Sequence, residues 1–110
     1  MKLLVPRLPR FGVVVVRGES MQPTLNDGDL LLIDRWRRPA VGDLAIIRFP
    51  DGEISVKRVD LIEPEGYFLT RDNPNRGRDS WTLGGLAIHH DDVLARVVRR
   101  IGPPRRLSRG

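Results

Sequence analysis

Ser20 and Lys57 are the two residues of this chain whose types and surroundings suit covalent chemistry. Ser20 lies in Gly18-Glu19-Ser20-Met21-Gln22-Pro23-Thr24-Leu25, after the apolar run Val13-Val14-Val15-Val16 and before the turn signal Asn26-Asp27-Gly28-Asp29. Glycine and proline on either side of a serine at a strand's break suit a hydroxyl held at a fixed spot beside an exposed strand end. Lys57 lies in Ser55-Val56-Lys57-Arg58-Val59, and Lys2 is the only other lysine; every other cationic side chain is arginine. Arginine keeps its proton in proteins, whereas a buried lysine can give it up. A neutral amine can then take the proton of a serine hydroxyl, which makes the two a candidate nucleophile and general base. The plain alternative is a surface lysine on a strand.

The elements that must position them read as short strands. Phe11 to Arg17 is predicted as a strand, and its consecutive β-branched residues suggest burial on both faces. Asp29 to Arg35, with Leu30-Leu31-Leu32-Ile33, reads as a second buried strand, followed by a loop at Trp36-Arg37-Arg38-Pro39. Trp36 is placed there either to touch substrate or lipid or to cap the core. Leu44 to Phe49 is a third strand, Pro50-Asp51-Gly52 a hairpin turn, and Glu53 to Val59 the return strand. The period of two puts Ser55, Lys57 and Val59 on one side and Ile54, Val56 and Arg58 on the other. Lys57 is thereby set against apolar surface and away from Arg58, and desolvation lowers a lysine pKa toward the range where it acts as a base.

Farther on, Leu61 to Tyr67 contains the turn Glu63-Pro64-Glu65-Gly66, Tyr67 to Thr70 is a short strand, and Arg71 to Trp81 is polar. Leu83 to His89 holds another short apolar piece, and Val93 to Ile101 is the final strand. Adjacent histidines on a strand point to opposite faces, so His89-His90-Asp91-Asp92 reads as a solvated turn rather than a metal site. No repeat and no convincing amphipathic helix occurs. Turn-punctuated short strands predict an all-β domain.

Composition sets further bounds. A chain of 110 residues holds one domain at most, and 40% hydrophobic with 30% charged residues is typical of a soluble globular protein. Without cysteine, disulfides, cysteine-ligated zinc and a thiol nucleophile are excluded. The net charge of +5 permits weak contact with an anionic membrane surface, and equally reflects heavy arginine usage. No aromatic–basic stacking pattern points to specific nucleic-acid binding. Residues 1–10 read as a flexible arm, 11–101 as the catalytic domain, and 102–110 as a basic disordered tail. No stretch reaches the roughly 20 apolar residues of a membrane span, so a cytoplasmic location, with peripheral membrane contact allowed, is the expectation.

Three ordered motifs resemble type I signal peptidases. Ser20-Met21-x-Pro23-Thr24-Leu25 is similar to their nucleophile box, and Val56-Lys57-Arg58-Val59 to their general-base box. Asp72-Asn73 followed by Asp79-Ser80 is similar to their Gly-Asp-Asn…Ser-x-Asp-Ser-Arg box, and Gly42-Asp43-Leu44 also fits. The serine-to-lysine spacing is short, similar to that of the LexA-type autoproteases, which share the catalytic fold. The third box departs from its pattern: Arg71 replaces its first glycine, Gly77 its middle serine and Trp81 its final arginine. In those proteases the serine helps to hold the lysine, and the arginine pairs with the aspartate that corresponds to Asp79.

The resemblance implies a small, strongly bent β-barrel or sandwich and a serine endopeptidase with a Ser20–Lys57 dyad. It implies oxyanion or support roles for Gly18, Asp72, Asn73, Asp79 and Ser80, with backbone N–H groups serving where Gly18 offers no hydroxyl. A peptide would bind as an added strand along Val15-Val16-Arg17 and Glu53-Ile54-Ser55-Val56. Val16, Met21, Leu25, Ser55 and Val56 are the expected substrate contacts, around a pocket for a small residue. No cofactor and no metal is expected. The expected partner is a protein whose N-terminal leader is removed, as in the small proteases that mature nickel superoxide dismutase. The alternatives are a degenerate, non-catalytic binding module for an anionic surface or protein, and a LexA-like autoprotease.

Overall fold

A computed structural model describes residues 1–3 and 7–102. Six strands form one antiparallel sheet: β1 (Phe11–Val15), β2 (Leu30–Asp34), β3 (Leu44–Arg48), β4 (Ile54–Glu63), β5 (Gly66–Thr70) and β6 (Val93–Gly102). Their spatial order is β1-β2-β6-β3-β4-β5, so β1 and β5 are edges and the sheet is not closed into a barrel. The all-β architecture expected from the short, turn-punctuated strands is the one found. Among the described residues there is no α-helix, only a 3-10 turn at His90–Asp92, and no helix is long and apolar enough to cross a membrane.

β3 is central, and the Leu44-Ala45-Ile46-Ile47 run is apolar because both its faces are covered. Ile46 packs with Val16, Met21, Leu25 and Leu31 on one side, while Ala45 and Ile47 pack with Phe49, Val59 and Leu69 on the other. The β3–β4 turn follows its sequence signal. Phe49 N–H donates to Glu53 O, Gly52 N–H to Phe49 O, and Gly52 takes φ +94°, a conformation a side chain rarely tolerates.

Two expectations are corrected. β1 is not buried on both faces: Val13 and Val15 are 55% and 44% exposed, because β1 is an edge strand with one open face. Val14 and Val16 pack on the core, and at Val13 and Val15 the β-branched run reflects strand propensity. β4 runs past Val59 to Glu63, through a register shift between Val59 and Leu61 that lets it pair with β5. Arg10 is tied to β2. Asp34 is 3% exposed and needs a cation, which Arg10 supplies by donating Nε and Nη2 to its carboxylate at 3.0–3.2 Å. Arg7 and Arg10 also lie over Trp36, at 5.2 and 5.8 Å from the ring centre. Residues 4–6 of the arm and the tail from Pro103 on lie outside the described residues.

Candidate active site

The chain leaves β1 through a loop pinned at both ends. Val16 pairs with the incoming strand through Val16 N–H to Asp29 O and Gly28 N–H to Val16 O, both 2.8 Å. Asp29 Oδ2 accepts Asn26 N–H, and Asp27 Oδ1 accepts Gly18 N–H at 2.8 Å. Between these clamps Met21 and Leu25, 1% and 3% exposed, plug the core. The apolar residues flanking the serine therefore fasten its turn to the sheet, and the Ser20 side chain is left at the surface of a groove.

β4 supplies the second group. Register pairs Lys57 with Ala45, whose small side chain leaves room for the lysine stem on the inner face. Lys57 is 2% exposed, and its Nζ lies 2.7 Å from Ser20 Oγ. Burial pushes the amine down to about 8; Asp79 and Glu53 oppose that shift, and Arg71 and Arg78 assist it. At pH 7 about one amine in ten is then neutral, against about one in three thousand for an ordinary lysine. Among the described residues, Ser20 Oγ is the only hydrogen-bond partner of Nζ.

The third motif lies against this pair, and its members do different things. Asn73 holds the turn that carries Ser20: its N–H donates to Ser20 O at 2.8 Å and its Nδ2 to Glu19 O at 2.9 Å. Asp72 takes a two-point hydrogen bond from Arg58, Nε to Oδ1 at 3.0 Å and Nη2 to Oδ2 at 2.7 Å. That arginine holds its carboxyl below the usual range, with the Thr24 hydroxyl adding to the effect. Asp72 thus fastens the motif to β4 and to the turn that carries Ser20, and an ionised carboxylate has no proton to donate. Ser80 is 1% exposed; it exchanges hydrogen bonds with Leu69 through its N–H and Oγ and does not reach Lys57. Asp79 is buried, which by itself would raise its pKa, yet N–H groups of Thr82, Arg71 and Trp81 and the Arg71 charge hold it below the usual range.

Gly18 N–H, engaged by Asp27, is not free for an oxyanion. Among the described residues, Ser20 N–H has no protein acceptor, so it is a free donor beside Ser20 Oγ. Two clefts, of about 700 Å³ and 490 Å³, share Arg17, Gly18, Ser20, Glu53 and Ser55 and so form one groove with Ser20 at the junction. One half is apolar, with Val16, Met21, Ile46 and Val56; the other is charged, with Glu19, Asp27, Arg76 and Arg78. Leu25 lies in the core and does not line the groove, in contrast to the expected substrate contact. The groove runs between the free edge of β1 and the part of β4 that precedes its pairing with β5.

Arg71, Arg58, Asp27 and the packing of Gly77 were not anticipated as parts of this arrangement. A signal for Arg71 was present. The third box gains an arginine at its first position where it loses one at its last, and Arg71 Nη1 lies 3.2 Å from Asp79 Oδ2. The His89-His90 pair is a capped turn: His89 Nδ1 accepts Asp91 N–H, and His90 Nε2 lies near the carbonyls of Glu63 and Pro64. Among the described residues no group of three His, Cys, Asp or Glu is placed to hold a metal ion.

Comparison with known proteins agrees with the geometry. Proteins named ImpA from Salmonella typhimurium, Shigella flexneri and Escherichia coli are each 48% identical to this chain over 48 residues. The similar stretch is 43% of this chain and 32% of each relative, so it spans about a third of the length of the curated relatives it matches. The family profile described as Peptidase S24-like matches residues 3–98, and on that extent the chain belongs to the Peptidase S24-like family.

Proposed function

We propose that this protein is a serine endopeptidase in which Ser20 is the nucleophile and Lys57 the general base. The observation that carries the reading is the 2.7 Å separation of Nζ and Oγ with the amine buried. In the reactive form the Ser20 hydroxyl donates to the lone pair of a neutral Lys57. As Oγ bonds to the peptide carbonyl carbon, the proton passes to Nζ and the carbonyl oxygen becomes an oxyanion facing Ser20 N–H. The C–N bond then breaks, and the Lys57 ammonium returns the proton to the leaving amine. In the second half Lys57 takes a proton from water, the hydroxide attacks the ester, and Ser20 recovers its hydrogen.

The substrate is an extended segment. A peptide laid between β1 and β4 satisfies backbone groups on both free edges, and the apolar half of the groove favours an apolar residue beside the cut. We assign as substrate the N-terminal leader of a partner protein, the task performed in nickel superoxide dismutase maturation. The test is acylation by a serine-reactive β-lactam, with mass spectrometry locating the adduct. Wild type is expected to label at Ser20, and Ser20→Ala and Lys57→Ala are expected to lose labelling while retaining the fold. Labelling that persists in a folded Lys57→Ala protein overturns the dyad, and a folded wild type that never labels points to a binding module.

A further inference from the structure

Arg71 follows β5 and its side chain turns back over the loop that leads to Asp79. Nε donates to Asn73 O at 2.9 Å and Nη2 to Pro74 O at 2.7 Å. Nη1 and the backbone N–H both donate to Asp79 Oδ2, at 3.2 and 3.1 Å. The other oxygen of Asp79 accepts the N–H groups of Trp81 and Thr82. Asp79 is 3% exposed, and among the described residues Arg71 is the only cation paired with it. The segment Arg71 grips carries Asn73, which holds Ser20 O and Glu19 O, and Gly77, which touches Ser20. Trp81 does other work, stacking on Phe68 and donating Nε1–H to Asp60.

We propose that Arg71 is a positioning residue for the Ser20–Lys57 pair: one guanidinium ties the loop that grips the Ser20 turn to the buried carboxylate of Asp79. The inference rests on the Ser–Lys reading above. The charges that act on Lys57 are Asp79 and Arg71, Arg78 from the same loop, and Glu53 from the turn just before β4. Across the cleft stand Arg17, Glu19 and Asp27 of the nucleophile turn, with Arg76 paired to Glu19. Asp79 favours the ammonium and Arg71 opposes it. Removing Arg71 deletes a cation near the amine and leaves a buried carboxylate uncompensated. Both changes hold the proton on Lys57 to higher pH.

With Lys2 and Lys57 as the only lysines, the protein labelled with ¹³C at lysine Cε gives two signals, and a Lys2→Arg variant assigns them. Wild-type Lys57 is expected to titrate near 8. Arg71→Gln is expected to raise that midpoint by about half a unit to one unit, and to move the acid limb of Ser20 acylation upward by the same amount. A folded Arg71→Gln protein whose Lys57 midpoint stays put overturns the proposal. Should that variant not fold, Arg71→Lys decides, since it keeps a charge beside Asp79 and releases Asn73 O and Pro74 O. The expected result there is an unchanged Lys57 midpoint with acylation slowed about tenfold; unchanged acylation overturns the proposal. A wild-type Lys57 that titrates at the ordinary lysine value instead overturns the dyad itself, so the two failures are told apart.

Discussion

Gly77 packs directly on Ser20: a Cβ at position 77 would stand 2.5 Å from Ser20 Cβ, and Gly77 has φ +79°. No side chain fits there without moving the nucleophile. The residue that departs from the Ser-x-Asp-Ser pattern is therefore matched to its surroundings, since the backbone of the third motif approaches Ser20 too closely for a side chain. Gly77→Ala is expected to cost about 1–3 kcal/mol in folding free energy from the left-handed backbone and the contact together. It is expected to slow Ser20 acylation by about a hundredfold, because a shift of an ångström in a reacting atom has that effect. Denaturant unfolding and acylation kinetics on the same preparation check both.

The pH profile follows from the burial of Lys57. With the amine at about 8, acylation by a neutral probe is expected to rise with pH below 8 and to level off above it. Each unit below the midpoint is expected to cost about tenfold in rate. A profile flat from pH 6 to 9 contradicts a lysine base.

The same burial has a cost in stability. The folded-state pKa of Lys57 lies below its unfolded value of 10.5, so the unfolded chain binds more protons in the interval between the two. Stability from this group thus rises with pH between about 8 and 10.5, and the penalty is fully present below 8. Lys57→Met, which keeps the stem and removes the amine, is expected to be more stable than wild type at pH 7 by about 1–3 kcal/mol. The difference is expected to shrink when unfolding is repeated near pH 10.

Asn73 separates positioning from stability. Its side chain contributes the half-exposed hydrogen bond to Glu19 O, while its N–H continues to hold Ser20 O in any substitution but proline. Asn73→Ala is expected to destabilise the fold by about 1 kcal/mol or less. Acylation is expected to slow about tenfold or more as the turn loosens. Equal effects on both, or none on acylation, contradict the clamp.

Local chemistry along the chain determined most of the strand pattern. The period of two set Lys57 beside Val59 and opposite Arg58, and Pro50-Asp51-Gly52 made the hairpin that delivers it, because both depend on neighbours a few residues away. The resemblance of the two boxes singled out Ser20 and Lys57, and the structure places them side by side. Tertiary structure alone decided the rest. The exposed face of Val13 and Val15 follows from β1 lying at the sheet's edge, and the core position of Leu25 follows from how the nucleophile turn folds under itself. Gly18 N–H is lost to Asp27, and Asp79 is paired by Arg71 rather than from position 81, because a buried polar group takes whichever partner the folded chain brings within reach. Spacing along a strand encodes which way a side chain points. What it meets there depends on the order and bend of strands far apart in sequence.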